Sequence, residues 1–134
     1  MNQRGFATLE VILMVIVIGI LAAIAVPRFD SVTTSANTAR IQADLSTIDT
    51  AIAIYQMENG TPDSAPTFEG LAPYLKDAEK IEPPKGKCYI NGTPANITDT
   101  DKYEISEIAI SSIDDSVKDY RATLKEHQSV DFHK

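Results

Sequence analysis

Few residues in this sequence have the types and spacing to do chemistry. Glu10 stands apart, a carboxylate at the leading edge of an apolar run over residues 11–26 that meets Pro27. A charged side chain at the centre of a bilayer costs about 2.5–3.5 kcal/mol, and less towards its surface, so a carboxylate kept there asks for a partner. Cleavage between Gly5 and Phe6 would create one, because the new α-ammonium on Phe6 can neutralise a carboxylate in an apolar setting. On a helix that amine and Glu10 lie about one turn apart, so they can meet within a subunit or, with neighbours staggered along an axis, between subunits.

The other reactive residue types gather less convincingly. His127 and His133 sit near the C-terminus at a spacing that does not converge on a metal, and read as solvated tail residues. Asn96, Asp99 and Asp101 offer oxygens of the kind calcium accepts, although three oxygens in a turn-forming segment more often just make the turn; no metal is assigned. Cys88 is the single cysteine and cannot close an intramolecular disulfide, and beside Tyr89 and Ile90 it reads as a small buried hydrophobe. Asn91-Gly92-Thr93 and Asn96-Ile97-Thr98 fit the N-glycosylation acceptor pattern, which arises easily by chance. The sequence holds no phosphate-cradling glycine loop, no CxxC pair and no nucleophile–histidine arrangement. It is read as no enzyme and as needing no cofactor.

The elements that would position Glu10 are legible in the periodicity. Residues 6–26 make about 21 positions, roughly 32 Å as a helix, enough to cross a hydrocarbon core. Pro27 removes one helical hydrogen bond and crowds the preceding turn, so a bend is expected there, not an end. A rival reading takes Ala23-Ile24-Ala25 as an A-x-A cleavage site, making the start a signal peptide cut after Ala25 and the rest a secreted binding domain. Against it stand Glu10 inside the run and a helical pattern that continues past the cut.

Arg4-Gly5-Phe6-Ala7-Thr8-Leu9-Glu10, the hydrophobic run containing Gly19, and Pro27 resemble the N-terminus of type IV pilins and the related pseudopilins. The resemblance covers roughly residues 4–58 and is sharpest in the first 27. It implies that a prepilin peptidase removes residues 1–5 and methylates the amine of Phe6, that Glu10 registers a new subunit against its neighbour, and that the helix between Gly19 and Pro27 bends or loosens in a filament. It further implies polymerisation with itself or other pilins, an assembly motor and platform, a plasma-membrane location before assembly, and an extracellular or periplasmic filament afterwards. Many type IV pilins staple their C-terminal region with a cysteine pair. The lone Cys88 departs from that pattern and leaves open a pseudopilin of a type II secretion or competence system.

Beyond Pro27 there is no Gly or Pro up to Glu58, and Ile41, Leu45, Ile48, Ile52 and Tyr55 recur at spacings of 4, 3, 4 and 3. That is the stripe of an amphipathic helix, with Arg40, Gln42, Asp44 and Asp49 on its wetter sides and Asn59-Gly60 as its stop. Phe68, Leu71, Tyr74 and Leu75 suggest one or two helical turns interrupted by Pro73. Residues 87–90 followed by Asn91-Gly92 predict a hairpin whose second strand Pro94 obscures, and residues 103–108 alternate as a half-buried strand. Ile113, Val117, Tyr120 and Leu124 repeat at 4, 3 and 4, predicting a C-terminal helix over 113–127 with a frayed tail over 128–134.

The expected fold is therefore α+β, with a leader (1–5), a membrane-spanning helix (6–26), the amphipathic half of the same helix (27–58) and a small head of short helices and antiparallel sheet (59–134). The whole carries a net charge of −7, from 12 basic and 19 acidic residues. So acidic a chain is a poor non-specific ligand for nucleic acid, and a lone subunit is not expected to bind it directly.

Overall fold

The computed structural model of the protein describes residues 3–108 and 118–134. It divides into two compact units, Met1–Thr33 and Thr34–Lys134. One helix, α1 (Gln3–Asn59), supplies residues to both and contains Pro27. Proline has no N–H to give to the carbonyl four residues back, that of Ala23, yet helical structure continues on either side. Within the first unit the large apolar side chains from Phe6 to Val32 are exposed.

The second unit is built on the amphipathic stripe. Ile41, Leu45 and Ile48 are each 0% exposed and Ile52 is 1% exposed, so the spacing read from the sequence marks the buried face. α1 stops where Gly60 adopts φ 78°, the left-handed conformation that ends a helix without a Cβ clash. The chain then makes two successive helical turns, in which the N–H of Leu71 donates to the carbonyl of Thr67 and that of Leu75 to the carbonyl of Leu71. Ala78–Lys80 adds a short 3₁₀ turn. Leu71, Leu75 and Ala78 from this stretch enter the core.

Two antiparallel hairpins complete the head. Strands β1 (Gly86–Ile90) and β2 (Thr93–Ile97) join through Asn91 and Gly92, whose φ values of 49° and 75° are those a two-residue hairpin turn requires. Pro94 lies opposite Tyr89 in β2, a position a two-stranded ribbon tolerates because no further strand needs its N–H. Strands β3 (Tyr103–Ile108) and β4 (Asp119–Leu124) pair in register from Tyr103↔Leu124 to Ile108↔Asp119.

Strand β4 replaces the C-terminal helix expected over 113–127. Tyr120, Ala122 and Leu124 on one face are buried, and of the residues between them Arg121 is exposed while Thr123 is buried. A spacing of four is a multiple of the strand period, so Tyr120 and Leu124 share a face in either structure, and pairing with β3 decides between them. The first part of that expected helix, 113–117, lies outside the described residues. The tail is not frayed either. Phe132 is 1% exposed, a 3₁₀ turn covers Ser129–Asp131, and the carbonyls of Asp131 and His133 accept the N–H groups of Asn91 (2.6 Å) and Gly92 (3.0 Å). An aromatic ring with core space to fill outweighs the tail's polar composition.

Candidate functional site

The residues with functional potential lie in two places, one in each unit. In the first, Glu10, Leu13, Met14, Val17 and Ile18 line one shallow groove on the helix surface, the 3–4 spacing of a single face. The groove is apolar apart from the carboxylate. Phe6, one turn before Glu10, is 81% exposed, and no side chain from Phe6 to Phe29 is buried. An 18-residue window of this helix has a mean hydropathy of 3.0, so by length and composition it can cross a membrane. Such a surface, apolar all round, is not that of a helix lying on a globular core. Gly5, Phe6, Glu10, Gly19 and Pro27 all fall on this one helix.

In the second unit the helix does more than bury a stripe. Several polar side chains along α1 reach the strands of the head and their flanks. The Asn37 Nδ2 donates to the carbonyls of Lys85 (3.3 Å) and Lys87 (3.0 Å), and the Thr38 Oγ1 accepts the N–H of Tyr89 at 2.8 Å. The Asp44 Oδ2 accepts the Tyr103 hydroxyl at 2.9 Å, and the Asp49 Oδ1 accepts the N–H of Ala122 at 2.7 Å. Asp44 and Asp49, expected on wetter sides, are thus half-buried connectors to β3 and β4. Burial pushes the Asp49 carboxyl above the usual range for aspartate, only partly offset by the hydrogen bond from Ala122. The Tyr103 phenol is pushed up by burial first and by the Asp44 carboxylate second. The sequence signal for these contacts was faint: polar residues one position off the apolar stripe, with nothing local to say what they would meet.

The oxygen-rich segment folds as a turn held by lysines. The Asp101 Oδ2 accepts the backbone N–H (2.7 Å) and the hydroxyl (2.8 Å) of Thr98, and lies 3.2 Å from the Lys125 Nζ. The Thr98 backbone N–H is the chief reason this carboxyl sits below the usual aspartate range. Asp99 pairs with Lys85 at 2.6 Å, and Asn96 stands exposed on β2. Among the described residues, no three His, Cys, Asp or Glu side chains gather as a metal site.

Cys88 is fully buried in β1, and burial raises its thiol above the usual range, which leaves it a packing residue. His127, expected in solvent, is half-buried, edge-on to the Phe132 ring at 6.5 Å and 3.5 Å from Asp131. His133 is exposed and bonds through its ring to the carbonyl of Val130. The structure therefore does not bring the two histidines to a common ligand.

Parts of the chain are similar to known proteins. The chain is 38% identical over 69 residues to the type IV narrow pilus major component PilA5 of Thermus thermophilus, covering 51% of this chain and 60% of that protein. It is 30% identical over 82 residues to the type II secretion system core protein G of Klebsiella pneumoniae, covering 61% and 56% respectively. Against fimbrial protein Q of Moraxella bovis the identity is 35% over 92 residues, 68% of this chain and 52% of the relative. The matches thus span little more than half the length of these relatives, which are named as pilus, fimbrial and secretion-system components and not as enzymes. No family profile matches the chain, and no solved structure does. With its apolar N-terminal helix, its head of two small antiparallel hairpins and relatives of both names, the chain belongs to the type IV pilin and type II secretion pseudopilin family.

Proposed function

We propose that this protein is the polymerising subunit of a type IV pilus-like filament. Residues 6–26 hold it in the plasma membrane before assembly and pack with the same segment of other subunits afterwards, while residues 59–134 form a head on the outside, carried on the amphipathic segment 27–58. A prepilin peptidase removes residues 1–5 by cleaving after Gly5 and methylates the amine of Phe6. Glu10 meets a Phe6 amine and registers one subunit on the next. An assembly motor and platform extract subunits from the membrane, and the helix between Gly19 and Pro27 yields as they pack. The observation that carries this reading is the apolar surface of residues 6–32 with one carboxylate near its start, a combination that burial against like helices satisfies and a plain anchor does not need. Burial of that surface contributes at about 25 cal/mol per Å² of apolar area.

A second reading is supported by the relatives named core protein G of type II secretion systems and by the lone Cys88. In it the chain is a pseudopilin whose short periplasmic fibre serves secretion or competence. One experiment separates these readings from each other and from a secreted domain: N-terminal mass spectrometry of the native protein in membrane and sheared-surface fractions. A chain starting at N-methylated Phe6 is expected. Its presence in the sheared fraction favours a long pilus, and its confinement to the envelope favours a pseudopilus. A chain starting at Val26 would overturn the filament reading, since residues 6–25 would have been discarded.

A further inference from the structure

The backbone of the C-terminal tail closes over the turn between β1 and β2, and that turn is an Asn-Gly pair. Asn-Gly is the dipeptide in which an asparagine side chain is most open to attack by the next backbone nitrogen, because glycine puts no side chain in the way. The nitrogen of Gly92, once it has lost its proton, bonds to the Asn91 Cγ, and the Cγ–Nδ2 bond breaks with loss of ammonia. The resulting succinimide takes up water to give aspartate or isoaspartate. The site has room for that ring: Asn91 is exposed, and a Cβ built on Gly92 would meet nothing within 4 Å.

The attacking nitrogen is engaged, however. The N–H of Gly92 donates to the carbonyl of His133 at 3.0 Å, and that of Asn91 to the carbonyl of Asp131 at 2.6 Å. Both carbonyls flank Phe132, which is buried at 1% exposure, and the Lys134 Nζ lies 5.9 Å from the centre of the Tyr89 ring. The tail is thus a strap anchored by one ring, with its backbone closed over the turn. A hydrogen-bonded N–H must open before it can lose its proton, as in amide exchange, so the strap's opening sets how often Gly92 can attack.

The chain holds a second Asn-Gly pair that is guarded differently. At Asn59-Gly60 the asparagine's own Nδ2 donates to the carbonyl of Tyr55 (3.1 Å) and to the Tyr74 hydroxyl (3.4 Å), which holds the side chain away from the following nitrogen. The tail takes no part in that arrangement.

We propose that Asn91 is a site of spontaneous deamidation gated by the C-terminal strap through the His133 carbonyl and the buried Phe132. Deamidation there adds a negative charge to the tip of the hairpin. Its isoaspartate form adds one backbone atom to a two-residue turn, so the register that presents both N–H groups to the strap is lost and the change becomes self-locking. This inference does not depend on the filament reading.

The test is peptide mapping of the full-length protein in detergent, incubated at pH 7.4 and 37 °C, with the mass gain of deamidation followed at Asn91 and Asn59 separately. A synthetic peptide of residues 87–97 gives the unguarded rate. In the intact protein Asn91 is expected to react at least about tenfold more slowly than in the peptide, since the strap must open first. Phe132→Ala, which removes the anchor, should raise the rate at Asn91 several-fold, and Phe132→Leu, which keeps most of it, should raise it less, with Asn59 unchanged in both. An Asn91 rate in the intact protein equal to the peptide's, or unmoved by either substitution, would overturn the proposal. So would a parallel rise at Asn59 in Phe132→Leu, because that would mean global opening in place of a local gate.

Discussion

Two stretches of one helix make opposite use of the same residue types. Over residues 6–32 the large aliphatic side chains point in every direction and are exposed, whereas over residues 41–52 the large ones recur only at spacings of 4, 3 and 4, and these are fully buried. Among the described residues the large apolar side chains of the first stretch are not buried, so they call for cover by lipid or by other copies. The second has its partner built in. Both are helical, so the difference lies in how far round the helix the apolar surface extends: all round asks for a solvent or a bundle, one stripe asks for a single packed face.

The sharpest way to break this comparison is to place the same charge in both stretches. Ile48→Asp buries an unpaired carboxylate in the core of the head and should cost more than about 4 kcal/mol, enough to abolish the head's cooperative thermal transition by near-ultraviolet circular dichroism. Ile16→Asp should leave that transition where it is. Its cost, about 2.5–3.5 kcal/mol, should appear as weakened retention in membranes. Equal effects of the two on the head's melting would show that the stretches do not differ as described.

A smaller effect sharpens what the second stretch does beyond its stripe. Asp49→Ala leaves the N–H of Ala122 without its acceptor and should destabilise the head by about 1–3 kcal/mol in denaturant titrations. Asp49→Asn keeps an acceptor oxygen and removes the charge. Because burial raises the Asp49 carboxyl, the stability it contributes is fully present below the ordinary aspartate value and is lost as pH rises through the raised one. Between pH 3 and pH 7 the balance should therefore move in favour of Asp49→Asn relative to the native protein. A difference that stayed constant with pH would show that Asp49 carries no such strain.

The smallest effect expected is that of Tyr103→Phe, about 0.5–1.5 kcal/mol at neutral pH, for the loss of one hydrogen bond to Asp44. The phenol of Tyr103 is raised above its ordinary value, so its contribution holds below that value and falls as pH climbs past it. Tyr103→Phe should accordingly lose less stability than the native protein in alkaline denaturant titrations above about pH 10. Identical alkaline curves would mean the phenol is free of the helix.

Local pattern alone placed the apolar helix, the isolated carboxylate at its edge, the amphipathic stripe with its Asn-Gly stop, the β1–β2 turn and strand β3, because each rests on a period or on a backbone requirement of a few neighbouring residues. Strand β4 and the tail were misread because nothing local distinguishes them. Tyr120 and Leu124 fit a helix or a strand equally well, and only the ladder with β3 selects the strand. Phe132 looks like the end of a polar tail until a space in the core, closed by residues far away in sequence, receives it. Asp44 and Asp49 read as solvated charges for the same reason: their partners, Tyr103 and Ala122, lie 59 and 73 residues away. What the sequence by itself determined about this protein is what a helix period and a turn can encode, including an apolar helix surface that has to be covered. Which strand pairs, which carboxylates are drawn inward and where the tail docks were decided by tertiary structure, because those depend on contacts whose two halves no short window contains.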